Sequence, residues 1–289
     1  MKILIIRAGA LGDTLMLMPA ICGLRKSAEI MIAGRCPGID YLRPYVDQCI
    51  DMETSGWHRL FMKDPDSLAP LSSLSPDHVV AFLNDPDGRL IGNLKAWFPE
   101  SAVSIFPVFP LEEDKTHIAL YMAGAIQESG LPIDALRVFE DSFKIPLMSD
   151  EIHPGEKGYV VLHPGSGSKK KNYPPLFWLE LIKELKRTRL HNAGRIILLL
   201  GPAEEGLLTF FRNNLNERDV ELKVLPEREE LMSILGGASL YLGHDSGITH
   251  LAAMLGRPVI ALFKESSIER WRPLGPNVRI MKDGNYSLS

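Results

Sequence analysis

Short apolar runs alternate with longer amphipathic stretches along most of this 289-residue sequence. Apolar runs of this length, bounded by turn residues, are typical of strands that are buried on both faces of a parallel sheet. The stretches between them show helical spacing of their apolar residues. A strand followed by a helix is the repeating unit of α/β proteins, so the alternation predicts an α/β fold built on parallel sheets.

The predicted strands are ILII (3–6), EIMIAG (29–34), HVVAFL (78–83), AVSIF (102–106), YVVLH (159–163), RIILLLG (195–201), SLYLG (239–243) and PVIALF (258–263). The predicted helices cover residues 13–26, 116–130, 174–187, 202–215, 228–238 and 246–256. Pro19 inside the first helix predicts a kink or a later start, because proline cannot donate the backbone hydrogen bond. Gly130 is expected to end the second helix as a C-terminal cap.

Residues 141–158 interrupt the alternation with two prolines, two glycines and many charges, which favours a linker. We therefore expect two α/β domains, at residues 1–150 and 151–289. Ligands of parallel sheets bind beyond the carboxyl ends of the strands. Two such domains that face each other would form a cleft.

Composition narrows the class of protein. The formal net charge of −4 gives no support to nucleic-acid binding. The three cysteines form no C-x-x-C pair, so neither a zinc site nor a disulfide framework is expected. We expect reduced thiols in a cytosolic protein. Arg7 and Asp13 interrupt the apolar core that a signal peptide needs. Because no uncharged run reaches about 18 residues, no transmembrane helix is expected.

RAGALGDTLMLMPA (7–20) follows the first strand and places Asp13 at the start of a helix. The stretch matches neither the dinucleotide-binding G-x-G-x-x-G pattern nor the P-loop pattern. Two interpretations of Asp13 stay open from the residues alone. The carboxylate caps the helix, or it acts in a site at the end of the strand.

LHPGSGSKKKNYP (162–174) follows a strand of the second half. Gly165, Ser166 and Gly167 would bring backbone N–H groups close to a phosphate, and Ser166 and Lys171 would add a hydroxyl and a cation. The alternative is a solvated surface loop with a basic run.

LGHDSGITH (242–250) follows another strand, and Asp245 or Ser246 is expected to cap the next helix. The N-terminus of that helix would offer N–H groups to an anion. His250 lies one turn inside it, and a packed helix histidine is the alternative. A metal site at His244, Asp245 and His250 is not favoured, because the H-E-x-x-H spacing is absent.

GPAEEG (201–206) places Glu204 in the first turn after a third strand. Its carboxylate would accept hydrogen bonds from ribose hydroxyls, or it is a surface glutamate favoured by the helix dipole. The three loops follow three strands of one predicted domain and should open on one edge of its sheet. A phosphate-bearing nucleotide suits that edge, and Asp13 would approach it from the first domain across the cleft.

RAGALGDTLMLMPA, HPGSGSKKKNYP, GPAE and GHDSGITHLAAMLGRPVIALF…RWRPLG together resemble glycosyltransferase family 9, the ADP-heptose:lipopolysaccharide heptosyltransferases. The motifs occur in the family's order and extend from residue 1 to about residue 280. The resemblance implies a GT-B fold, in which two Rossmann-like domains with parallel sheets face each other across a cleft. The N-terminal domain would bind the acceptor and the C-terminal domain the nucleotide sugar.

The resemblance also implies an inverting, metal-independent sugar transfer with Asp13 as the catalytic base. It implies a nucleotide-sugar site at Ser166, Gly167, Lys171, Glu204, Asp245, Ser246, Gly247 and His250. The expected co-substrate is an ADP-sugar, and no cofactor or metal is expected. The expected acceptor is a saccharide or glycolipid such as lipopolysaccharide core. A cytoplasmic location follows, with peripheral contact at the inner membrane as an open alternative.

Two departures from the family pattern keep other functions open. Lys264-Glu265-Ser266 stands where Gly-Pro-Thr is usual, close to the expected nucleotide. The sequence also ends with VRIMKDGNYSLS (278–289), where a further helix is common in the family. The alternatives are a nucleotide-sugar-binding protein without transferase activity and a GT-B-like sugar-nucleotide epimerase.

Overall fold

A computed structural model describes residues 1–54, 56–63, 74–148, 158–188, 195–215 and 220–282. The chain divides into two compact units, Met1–Asp141 and Ser142–Ser289. The domain boundary expected at residue 150 lies outside the described residues. No helix in the described part of the chain has both the length and the apolar character to cross a bilayer.

The first unit contains a five-stranded sheet with the order β3-β2-β1-β4-β5, and every pairing in it is parallel. Its strands are β1 (Lys2–Arg7), β2 (Glu29–Gly34), β3 (Gln48–Asp51), β4 (His78–Phe82) and β5 (Ala102–Phe106). Its helices are α1 (Leu11–Leu15), α2 (Met18–Leu24), α3 (Arg89–Trp97), α4 (Ile118–Glu128) and α5 (Ala135–Asp141), with 3-10 helices at Gly38–Tyr45 and Trp57–Phe61. β1 is central and wholly buried after its first residue, as its apolar run predicts.

The second unit contains a six-stranded parallel sheet with the order β11-β10-β9-β6-β7-β8. Its strands are β6 (Tyr159–His163), β7 (Ile196–Leu200), β8 (Val220–Val224), β9 (Ala238–His244), β10 (Val259–Phe263) and β11 (Val278–Lys282). Its helices are α6 (Pro175–Thr188), α7 (Leu208–Asn214), α8 (Arg228–Gly236), α9 (Gly247–Met254) and α10 (Ile268–Trp271), with 3-10 helices at Lys169–Lys171 and Pro202–Leu207. This strand order is that of a Rossmann-like fold.

The kink and the cap predicted from proline and glycine are both confirmed. The helix expected at 13–26 is divided into α1 and α2, and Pro19 is the second residue of α2. Proline fits there because the first turn of a helix needs no backbone donor. α4 ends at Glu128, and Gly130 follows with the left-handed φ of 82° that suits a residue without a side chain.

Two segments differ from their predictions. The helix predicted at 202–215 begins as a 3-10 helix and becomes α-helical only at Leu208. Residues 142–148, expected to be part of a linker, lie against the second unit. The backbone amides of Leu147 and Met148 donate to the Met254 carbonyl at 2.9 and 3.0 Å. The remainder of the expected linker, 149–157, is outside the described residues.

The strand orders determine where polar loops collect. In the first sheet the chain order reverses between β1 and β4, and in the second it reverses between β6 and β9. In parallel sheets a crevice for ligands opens at these switch points, beyond the carboxyl ends of the strands. The loop with Asp13 follows β1, and the loops with Lys171 and Asp245 follow β6 and β9.

Candidate functional site

Asp13 lies in the first turn of α1 and is half-buried. Its Oδ2 accepts a hydrogen bond from the Ala10 backbone N–H at 3.2 Å, so the carboxylate does cap the start of the helix. A carboxylate has about four lone-pair positions, and one cap bond leaves most of them for another proton donor. The capping interpretation and the catalytic interpretation are therefore compatible.

Arg7 and Gly9 border Asp13. A Cβ on Gly9 would stand 2.7 Å from the Asp13 Cβ and 3.3 Å from Arg7 Nε, so only glycine allows this approach. Arg7 is 1% exposed. Its Nη1 donates to the Val108 carbonyl at 3.1 Å, and its guanidinium lies 4.8 Å from the centre of the Phe109 ring.

Burial lowers the pKa of Arg7, and the negative charge of Asp13 opposes this shift. Among the residues that the structure describes, Arg7 Nε and Nη2 are buried without a hydrogen-bond partner. In the sequence, Arg7 is notable only because it interrupts the apolar core of a would-be signal peptide. The signal that could have marked it is a charged residue that ends an otherwise apolar, buried strand.

The loop after β6 is held by its own polar groups. Ser166 is buried, and its hydroxyl donates to Asn172 Oδ1 at 2.6 Å or to the Ser168 carbonyl at 2.9 Å. Gly167 is exposed, with no heavy atom within 4 Å of the position that its Cβ would occupy. The backbone of this loop is thus open at Gly167, while Ser166 shapes the loop from within.

Asp245 joins two candidate residues from different segments. Its Oδ2 lies 2.7 Å from Lys171 Nζ, and its Oδ1 lies 3.5 Å from His250 Nε2. Burial alone would raise the pKa of Asp245. The neighbouring His250 ring and Lys171 ammonium outweigh burial and hold it well below its ordinary range. The Lys171 side chain remains 33% exposed, so its ammonium can still meet a ligand.

Ser246, rather than Asp245, caps α9. Its Oγ accepts a hydrogen bond from the Thr249 backbone N–H at 3.3 Å. Gly247 is the first residue of the helix, and His250 is buried in the first turn, as the spacing predicts. This helix start lies at the carboxyl end of β9, beside the switch point, where an anion would find free N–H groups.

Glu204 is buried, so the surface interpretation of this residue is wrong. Its Oε2 accepts from the Gly201 N–H at 2.9 Å and lies 3.4 Å from His163 Nε2. Burial raises the pKa of Glu204, but the neighbouring His163 ring and the Gly201 N–H bring it below its ordinary value. The carboxylate therefore stays ionised inside the unit.

Two histidines that sequence reasoning did not assign to a nucleotide site end the strands on either side of the switch point. His163 ends β6, and its Nδ1 lies 3.4 Å from Ser246 Oγ. His244 ends β9 and accepts the Tyr173 backbone N–H at Nε2, at 2.8 Å. Burial lowers the pKa of His244 to about 3, so the ring is neutral and connects two loops. Both histidines end apolar strands, which is the signal that could have marked them.

No group of three or more histidine, cysteine, aspartate or glutamate side chains in the described ranges is arranged to hold a metal ion. In the first unit, the candidate residues are a carboxylate and a buried arginine. In the second unit, they are paired charges and a helix start. Among the predicted residues, Asp245 contacts both Lys171 and His250, and His163 lies between Glu204 and Ser246.

Two Rossmann-like units with polar loops at their switch points define a two-domain α/β protein of the kind that binds nucleotides. The sequence model of glycosyltransferase family 9 (heptosyltransferase) matches residues 103–288, and the chain belongs to that family. A sequence search against curated proteins finds no match.

Solved structures of similar fold cover almost the whole chain. E. coli heptosyltransferase WaaC with ADP has a TM-score of 0.71 at 16% identity, over 98% of this chain and 93% of that one. A family 9 glycosyltransferase from Veillonella parvula has a TM-score of 0.73 at 15% identity, over 99% of this chain and 88% of that one. E. coli ADP-heptose lipopolysaccharide heptosyltransferase II has a TM-score of 0.70 at 17% identity, over 97% of this chain and 90% of that one. The fold is therefore the GT-B fold of these heptosyltransferases.

Proposed function

We propose that the protein is an inverting glycosyltransferase that moves a heptose from an ADP-sugar to a hydroxyl of a saccharide acceptor such as lipopolysaccharide core. The observation that carries the proposal is the contact of Lys171 and His250 with Asp245 beside the start of α9. This places a cation and a helix N-terminus at one switch point, in a family 9 chain. The structure of E. coli WaaC with ADP supports ADP as the nucleotide.

The donor would bind to the second unit. Glu204 would accept hydrogen bonds from the ribose hydroxyls. The open backbone at Gly167, the exposed part of Lys171 and the N–H groups of α9 at Ser246 and Gly247 would bind the diphosphate. Asp245 is an anion and would be repelled by phosphate. Its role would be to orient Lys171 and His250 and to accept hydrogen bonds from hydroxyl groups of the sugar.

Asp13 would act as the general base on the acceptor, which would bind to the first unit. The acceptor hydroxyl would give its proton to the Asp13 carboxylate while its oxygen forms a bond to the anomeric carbon. The bond from that carbon to the diphosphate oxygen would break through an oxocarbenium-like state, and the configuration would invert.

The electron pair of the broken bond stays on ADP as negative charge. Lys171 and the start of α9 would stabilise this charge, since fixed positive groups are most effective where charge develops. We propose on this basis that the transfer needs neither a metal nor a cofactor. We further propose that the reaction takes place in the cytoplasm and that a glycolipid acceptor would bring the protein to the inner membrane.

The test is an incubation of the protein with ADP-heptose and lipopolysaccharide core that lacks heptose, with and without a chelator. ADP release that matches sugar transfer, equal in both samples, is the expected result. Donor binding without any product would indicate a binding protein instead. Epimerised donor in the absence of acceptor would indicate an epimerase. A failure of every ADP compound to stabilise the protein would overturn the heptose assignment.

A further inference from the structure

His163 stands between two parts of the candidate donor site. It ends β6, which lies between β7 and β9 in the sheet. Glu204 follows β7 and Ser246 follows β9. The ring is 3% exposed, with Nε2 at 3.4 Å from Glu204 Oε2 and Nδ1 at 3.4 Å from Ser246 Oγ. One buried side chain on the middle strand thus touches the loops of both neighbouring strands.

The two oxygens of Glu204 differ in their surroundings. Oε2 accepts the Gly201 N–H and faces His163. Oε1 is buried and has no hydrogen-bond partner among the described residues. A buried carboxylate oxygen without a partner is unfavourable, because it has lost its hydrogen bonds to water. Oε1 is therefore the oxygen that has most to gain from a donor hydroxyl.

We propose that His163 is a positioning residue for the nucleotide-sugar donor. It directs Glu204 Oε1 toward a ribose hydroxyl and fixes the nucleoside end of the site relative to Ser246 at the diphosphate end. The inference rests on the proposed function, because it takes a nucleoside diphosphate as the ligand. His163 acts through Glu204 and Ser246 and makes no contact with the reacting atoms.

The chemistry of the imidazole fits this role. A neutral ring offers one N–H donor and one acceptor nitrogen. With the proton on Nε2, an N–H lies 3.4 Å from Glu204 Oε2, close to the carboxylate although the geometry is not that of a hydrogen bond, and Nδ1 is left as an acceptor 3.4 Å from Ser246 Oγ. Ser246 Oγ accepts the Thr249 N–H, and its own hydrogen can go to His163 Nδ1 at 3.4 Å or to Thr249 Oγ1 at 3.1 Å. The His163 ring thereby contacts both the Glu204 carboxylate and the helix cap at Ser246.

The experiment measures binding of ADP, 2′,3′-dideoxy-ADP and pyrophosphate by calorimetry. We expect the wild-type protein to prefer ADP over the dideoxy compound by about tenfold or more, as for a hydrogen bond to a charged group. His163→Ala should reduce this preference toward the value for Glu204→Gln, with little change for pyrophosphate. The double variant should show no further loss, because the two residues act as one unit.

Two milder variants separate positioning from folding. His163→Gln can place its amide nitrogen near the Nε2 position and should keep the preference for ADP. His163→Asn reaches only the Nδ1 position and should lose it. These two variants carry the test if His163→Ala does not fold, which thermal unfolding would show.

The outcomes distinguish this inference from the proposed function. If Glu204→Gln loses the preference and the His163 variants keep it, the positioning role is wrong and the function stands. An equal fall in affinity for all three ligands would show that His163 serves only the structure of the unit, which also overturns the inference. If the wild-type protein binds no ADP, the proposed function fails first.

Discussion

The carboxyl carbon of Glu204 lies 1.7 Å from the point at which a side chain on Gly165 would begin. The two residues belong to loops that follow neighbouring strands of the second sheet, β7 and β6. Only a hydrogen atom fits between them. Gly165 was expected to bring backbone N–H groups to a phosphate, and in the structure it lies against the buried Glu204 of the adjoining loop.

Gly165→Ala should therefore weaken donor binding. The new methyl group would displace the Glu204 carboxylate from the position that we assign to the ribose contact. We expect ADP affinity to fall by about tenfold or more, the value of a lost hydrogen bond to a charged group. Gly206→Ala is the matched control, because no heavy atom lies within 4 Å of its added carbon and the residue is exposed. Equal ADP affinities of the two variants in calorimetry would contradict the prediction.

Asp13→Asn and Asp13→Ala should separate the cap from the base. The asparagine oxygen can still accept the Ala10 N–H, whereas alanine cannot. Both variants should slow transfer by at least about 100-fold, because neither can take a proton, and both should bind donor almost normally. Only the alanine variant should lose stability, by about 1 kcal/mol for a missing cap. Initial rates, calorimetry and thermal unfolding measure the three effects. Normal turnover by Asp13→Asn would exclude Asp13 as the base.

Lys171→Met should weaken donor binding more than the same change at its neighbour. The substitution removes the cation that contacts Asp245, and it leaves this buried carboxylate facing the diphosphate. We expect the dissociation constant for ADP to rise by about tenfold or more, as for a charge-assisted contact. Lys170→Met is the control, because Lys170 is exposed in the same 3-10 helix. A similar loss in both variants would mean that only the general positive charge of the loop matters.

His244 should make stability fall in acid. Its pKa in the folded protein is about 3, below the value of about 6.5 for an unperturbed histidine. The unfolded chain therefore binds the proton first, and the stabilisation is complete above about pH 6.5 and decreases toward pH 3. In His244→Gln, the amide oxygen can still accept the Tyr173 N–H. The unfolding temperature of this variant should fall less than that of the wild-type protein as the pH is lowered from 7 to 5. His58→Gln, at an exposed histidine, should keep the wild-type slope. Parallel slopes for both variants would refute the role of His244.

Much of the fold follows from local patterns. The eight apolar runs are all strands, because residues such as Ile3 to Ile6 are buried on both faces of a parallel sheet whatever their neighbours are. The missed strands, β3, β8 and β11, are all edge strands of their sheets. β8 (VELKV) and β11 (VRIMK) each contain two charged residues among five, so their apolar pattern is weak.

The candidate site could be predicted only as a set of loops. Parallel strands bring their carboxyl ends to one edge, so the loops with Lys171, Glu204 and Asp245 could be placed together. The partner of each polar side chain could not be predicted from the sequences of the loops. The Ser166 hydroxyl turns to Asn172, and Glu204 is buried against Gly165.

The sequence by itself determined the parallel strands, the kink at Pro19 and the loops that carry chemistry, because these depend on neighbouring residues in the chain. The tertiary structure alone decided the partners. Lys171 meets Asp245 across 74 positions, and His163 meets Ser246 across 83. Such pairs depend on the order of β7, β6 and β9 in the sheet. That order arises from packing of the whole unit, and no local pattern in the residues encodes it.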